Sequence, residues 1–295
     1  MRATQSIESG DLTNGATKLR SHRLQWLFVA SVVLMLVPTA CDQTQTGEID
    51  DGIDETETDQ TGTEEASPPR WKAPETEAEE VAAGIFEAHG GPEWEQIRRL
   101  AFRFVVETDG ETTFVATHYW DLDDDVAQIR WKDDDGSWWS VVVDIDEASA
   151  RSASIDGKSL EGERLEEAAE AGYHRWVNDT YWLLMPIKLF DPGVDLTLEE
   201  PIENDEQVLA PLVLSFDDVG LTPGDRYRVF IDREDRTVDH WEMMLEGRDE
   251  TTIVDWREYE DIGPLRLPVE RHWRDGDRKI TFEIIQVNTA PEKAR

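Results

Sequence analysis

The chain has one cysteine, Cys41, in 295 residues. No intramolecular disulfide can form, and a thiol mechanism would have to use Cys41 itself. Basic residues are scarce too: 29 Lys+Arg, only seven of them lysine, against 66 Asp+Glu, for a formal net charge of −37. A nucleic-acid binder must neutralise phosphates with basic surface, so that class is excluded. HExxH, GxSxG, GxGxxG and P-loop patterns are all missing. No catalytic residue set and no cofactor is expected, and the protein reads as non-enzymatic. The surplus of carboxylates repels itself in a compact state, a cost that salt screens, and suggests adaptation to a salty, halophilic setting.

Long apolar runs are also few. One spans Leu24–Val37 behind Lys18, Arg20 and Arg23 and ends at Pro38-Thr39-Ala40-Cys41. A basic flank and about 14 apolar residues suit a signal-peptide core and are short for a spanning helix. The segment resembles a bacterial lipoprotein signal, in which a lipidated cysteine becomes the mature N-terminus. Pro38 stands where that pattern usually has leucine, so an uncleaved anchor is the alternative. The resemblance implies a signal peptide over 1–40, acylation of Cys41 by chains such as palmitate, and attachment to a bilayer at the periplasmic or outer-membrane face of the envelope. Residues 42–69 carry ten Asp/Glu and no Lys or Arg. Such composition predicts an extended acidic tether over 41–70 ahead of a folded body over 71–295.

In the body, Thr76-x-x-Glu79 is a capping box for a helix ending at Gly90-Gly91. The apolar period then changes to two. Segments 100–106, 114–120, 127–132, 138–144, 227–231, 238–245, 251–259, 265–273 and 280–287 read as strands, with Asp109-Gly110, Asp135-Gly136 and Asp156-Gly157 as hairpin turns. The expected fold is α+β. One large curved antiparallel sheet of about nine to eleven strands, a half-open barrel, is covered by the N-terminal helix and a central helix-loop lid. The central segment 163–189 has a helical stripe that Pro186 interrupts.

The run Trp176-Val-Asn-Asp-Thr-Tyr-Trp-Leu-Leu-Met-Pro-Ile-Lys-Leu-Phe190 has two readings. It completes a solid core, or it lids an apolar cavity able to hold an acyl chain. On the second reading Trp176, Tyr181, Trp182, Leu184, Met185, Ile187, Leu189 and Phe190, with Trp241 and Met243 on the sheet, line the ligand site. A lipid-anchored chain ordered helix, meander, helix-loop, meander resembles the bacterial lipoprotein-carrier and outer-membrane lipoprotein-sorting proteins. That resemblance implies a half-barrel that shields acyl chains or a lipoprotein, and the tether implies a fixed receptor rather than a shuttle. Stretches 178–194 and 221–232 also look like those of uncharacterised bacterial lipoproteins, which imply no activity.

Other chemistry is weaker. The acidic clusters at 121–125 and 133–135 read as solvated turns rather than Ca²⁺ loops. Alternation places His118 on the inner face and His240 and His272 on the outer one, which argues against a shared zinc site, and no metal is expected. Twelve tryptophans keep a carbohydrate- or partner-binding surface with a solid core as the alternative function; a hydrolase ranks third.

Overall fold

The computed structural model describes residues 74–203, 208–216, 221–222 and 224–290. Cys41, the leader and the tether lie outside these residues. Among the described residues no helix is long and apolar enough to cross a membrane.

Helix α1 spans Glu77–Ala88, and the Thr76 side chain and Glu79 form the reciprocal capping box. Such a cap contributes about 1 kcal/mol. His89 closes the helix. After a 3₁₀ turn over Gly91–Gln96 come β1 (Ile97–Thr108), β2 (Glu111–Asp121), β3 (Val126–Lys132), β4 (Trp138–Asp144), β5 (Ser149–Ile155) and β6 (Lys158–Ser159). Helix α2 covers Glu163–Leu184 and runs into a 3₁₀ turn, Met185–Ile187. The second half comprises β7 (Val194–Leu198), β8 (Ile202–Glu203), β9 (Val208–Phe216), β10 (Arg226–Asp232), β11 (Val238–Met244), β12 (Thr252–Ile262), β13 (Leu265–Trp273) and β14 (Arg278–Thr289).

All fourteen strands join one antiparallel sheet in the order β6-β5-β4-β3-β2-β1-β14-β13-β12-β11-β10-β9-β7, with β8 also pairing β9. The sheet is curved and unclosed. Fourteen strands exceed the expected nine to eleven. The excess comes from the short β6, β7 and β8 and from β5 and β9, whose sequences lack clean alternation. In β9, Leu209, Ala210, Leu212, Val213 and Leu214 are all buried, so both faces are apolar and no period of two survives. Asp109-Gly110 and Asp156-Gly157 take positive φ at both residues, as two-residue hairpins demand (φ 55°, 77°, 50° and 74°).

The two meanders meet at one seam. β1 pairs β14 along nearly its whole length, from Ile97–Thr289 to Thr108–Arg278. The inner face is one apolar cluster that includes Leu100, Phe102 and Phe104 of β1, Ile129 and Trp131 of β3, Val141 of β4, Trp241 of β11 and Phe282 of β14. On this face lies α2. Gly172 makes close approach to β4 possible: a Cβ there would stand 2.9 Å from Val141 Cγ1. The first half of α2 buries only a stripe. From Trp176 to Leu184 every residue is buried, and the 3₁₀ turn that follows packs against α1.

A candidate site at the seam between the central helix and the sheet

The sequence-predicted lid residues come together on the concave face. Trp176, Tyr181, Trp182, Leu184, Met185, Ile187 and Leu189 are buried, and Phe190 packs half-buried against the Phe86 ring. Trp182 is the centre of the aromatic packing, 4.6 Å from Trp241 and 5.4 Å from Trp273. Trp241 in turn stacks on Tyr227 at 4.9 Å, and Met243 is fully buried beside it in sequence and on the same face. These side chains fill the hollow directly; they do not surround one wide empty chamber.

One cavity of about 300 Å³ lies away from α2, between α1 and the end of β10, lined by Val81, Gly84, Ile85, Ile231 and Arg236 among others; three more follow the edges of α2. An apolar groove of about 420 Å³ flanks its first half, lined by Ala148, Ala150, Leu165, Ala169, Tyr173 and Leu221 among others. Beside the middle of the helix, Arg175, Asn178 and Trp182 face Phe104, Val106, Phe114, Trp273, Arg278 and Ile280 across a cavity of about 90 Å³. At its end, Thr180, Leu184 and Ile187 border a smaller gap of about 40 Å³ against Phe86, Trp94 and Trp120. Small-molecule sites run to roughly 300–1,000 Å³, so of the three spaces beside α2 the groove is the one of ligand size as it stands.

Polar groups fix α2 to the sheet at two points. Asp179, fully buried, bonds His118 Nε2 through Oδ2 at 2.7 Å and accepts Asn178 Nδ2 on Oδ1 at 2.8 Å. His118 stacks flat on Phe102 at 4.6 Å. A carboxylate in an apolar core demands such partners, and removal of either member leaves the other stranded. The second point is Arg271 of β13. Pro186 has no N–H to give the carbonyl four residues back, at Trp182. Arg271 Nη2 donates to that oxygen instead, at 2.5 Å, while Nη1 donates to Pro268 O and Glu270 O at 2.8 and 3.0 Å. The break at Pro186 thus opens a carbonyl that the sheet then holds. The guanidinium lies 3.6 Å from the Trp256 ring centre and is wholly buried. Burial pulls its pKa down to about 9, which leaves it charged at neutral pH.

Sequence reasoning missed Arg175, Asn178, Asp179, Arg271 and Arg278, as well as His89. A usable signal existed for two of them. The alternation that sets Leu265, Leu267, Val269 and Trp273 inward does the same for Arg271. Arg278 shares its face with Ile280 and Phe282. The histidine placements need one correction. His118 is on the inner face, and His272 is on the outer one bonded to Glu270. His240 is also on the outer face, but it is buried, because its ring stacks on Phe230 of the neighbouring strand at 4.1 Å. The acidic turns are tied up locally: Asp121 and Asp123 pair with Arg99 and Arg98, and Asp135 accepts the Ser137 N–H. Of the ten described tryptophans, Trp138 alone is prominently exposed, at 55 %.

The class of architecture is therefore a half-open antiparallel barrel with a helix laid in its hollow. The sequence matches no protein-family model and no curated protein. Among solved structures the chain is similar to a LolA superfamily protein from Nitrosomonas europaea, at 10 % identity and TM-score 0.45, over 72 % of this chain and 94 % of that one. It is similar to an outer membrane lipoprotein-sorting protein domain from Vibrio parahaemolyticus, at 7 % identity and TM-score 0.39, over 72 % and 93 %. The third is the lipoprotein LppX of Mycobacterium tuberculosis, at 10 % identity and TM-score 0.31, over 72 % and 98 %. The expected likeness to lipoprotein-carrier proteins recurs among these neighbours.

Proposed function

We propose that the protein is a non-enzymatic lipoprotein of the cell envelope, anchored through acylated Cys41, that takes an acyl chain or the acyl part of a lipoprotein between α2 and the sheet. One observation carries this reading: three cavities follow the two edges of one helix, from Leu165 to Ile187, between its side chains and the sheet. Imperfect packing concentrated on a helix–sheet seam marks where that helix separates from the sheet most cheaply. The helix is bounded by Gly162, at φ 59° and without a side-chain cap, and by the Pro186 break. Apolar side chains from Trp176 to Phe190, with Trp241 and Met243, would then contact the acyl chain when α2 shifts. A hollow lined this way gains about 25 cal/mol for each Å² of chain buried. The alternative, a sugar-binding surface, has little support, since stacking on pyranose rings needs exposed indole faces and Trp138 stands alone.

The test is a lipid extract. Residues 71–295 contain every described helix and strand. This body, purified without detergent, is expected to yield close to one equivalent of acyl chain by mass spectrometry of an organic extract. A folded body that yields none, and takes up no palmitate when offered it, would refute the reading. Loss of radiolabelled palmitate from a Cys41→Ser full chain tests the anchor separately.

A further inference from the structure

We infer that the seam cavity beside the middle of α2 is a head-group site for an acyl chain ending in an anionic oxygen group, with Arg278 as the residue that receives the charge. This deepens the reading above and rests on it. Arg278 opens β14 on the inner face, at the rim of the cavity whose floor is Phe104, Val106, Phe114, Trp182 and Ile280. Its guanidinium is stacked at 4.5 Å on Trp273 and has no acidic partner among the described residues. Most of the other described cations without an acidic partner are exposed, such as Arg130, Arg226 and Arg248, whereas Arg278 is part-buried. The next residue, Lys279, faces the opposite side and engages Glu107 and Glu270. Carboxylates are thus within reach of this hairpin, yet its two inward arginines have none: Arg271 is satisfied by backbone carbonyls, and Arg278 is left facing the cavity.

Burial lowers the Arg278 pKa. A largely desolvated cation set against aromatic and aliphatic side chains attracts anionic oxygen and binds it through paired N–H donors. The other cation at the rim, Arg175, differs. It sits over Phe114 and Trp131, at 4.4 and 4.9 Å, and feels the charges of Asp179, Asp133 and Asp134. Asp133 and Asp134 lie on the rim as well. An anion is therefore repelled from that side and drawn to the Arg278 side, which orients the ligand with its tail toward Trp182. The buried Asn178 adds a second contact. Because Asp179 can only accept, Asn178 must turn Nδ2 toward it, and its Oδ1 has no partner. That oxygen takes any O–H or N–H the head carries.

The experiment is native mass spectrometry of the full chain with palmitate, hexadecyl phosphate and hexadecanol as probes. At least one of the two anions should bind about tenfold or more tightly than the alcohol, as a charge-assisted contact implies. Arg278→Gln should bring that anion down to the level of hexadecanol while hexadecanol is unchanged, and Arg278→Lys should keep part of the preference. Preference for the phosphate or for palmitate identifies the anion, and either supports the site. Equal binding of all three probes, or an anion preference that survives Arg278→Gln, overturns the head-group site while leaving an acyl cavity in place. Binding of none overturns both. A far-UV circular dichroism spectrum shows that Arg278→Gln has folded.

Discussion

His89 gives a prediction with a definite sign. It closes α1 with no exposed surface, donates from Nδ1 to Ile85 O at 2.7 Å, packs edge-on against Tyr259, and leaves Nε2 without a partner. Burial, helped by the charges of Arg266 and Arg271, lowers its pKa from 6.5 to about 4. The folded state therefore binds fewer protons than the unfolded chain between those values, so stability rises with pH across that window. The contribution is complete above pH 6.5 and is lost as pH falls toward 4. At about 1.4 kcal/mol per pH unit, the loss amounts to roughly 3 kcal/mol by pH 4 and about 2 by pH 5. Carboxylates protonate over the same range and relieve self-repulsion, so the wild-type curve alone mixes opposing effects. The assay is urea unfolding followed by tryptophan fluorescence, from pH 7.5 to 4.5, for wild type and for the non-titrating His89→Gln. The difference between the two should narrow by about 2 kcal/mol or more as the pH drops, because the variant loses nothing at this site. Parallel curves, within about 0.5 kcal/mol throughout, would refute the assignment of a neutral buried imidazole.

Asp179→Ala strands His118 in the core and should cost about 3–5 kcal/mol in urea denaturation at pH 7; a loss under 1 kcal/mol would mean the pair is already solvated. Gly172→Ala drives a methyl to 2.9 Å from Val141 Cγ1, on a strand that cannot retreat, and should destabilise by about 1–3 kcal/mol. The ordinary gain from Gly to Ala within a helix, near 1 kcal/mol, would appear instead if α2 stood off the sheet. With a net charge of −37, the urea midpoint should climb between about 0.05 and 1 M KCl, and a flat response would show that the carboxylates do not repel one another appreciably.

The elements that declared themselves in the sequence did so through local chemistry. Strand β13 runs over Leu265–Trp273, as its alternation predicts, and the Thr76–Glu79 cap and two Asp-Gly turns need only neighbouring residues to form. What escaped depends on distant partners. β5, Ser149–Ile155, is rich in Ser and Ala and is a strand because β4 and β6 flank it. β9 is coated on both faces and interrupted by Pro211, so it carries neither a period nor a turn signal. The lid segment was legible as apolar and as helix, and its place against the concave face followed. That α2 leaves gaps on its two edges was not legible, since apolar composition is the same for a tight and a loose fit. Arg271 and Arg278 were visible as inward positions but masked by the habit of reading arginine as solvent-facing.

The β1–β14 seam has a consequence for biogenesis. Arg103 and Glu283, paired across it at 2.9 Å, are 180 residues apart in sequence. Emerging from a ribosome at roughly 5–20 residues per second, the first meander waits about 10–40 seconds before its middle neighbour is even made. Over that interval β1 offers an unpaired backbone edge alongside a greasy surface, the combination that recruits other nascent chains. A polypeptide wired in this way gains from being held unfolded by a holdase until its last strand is available.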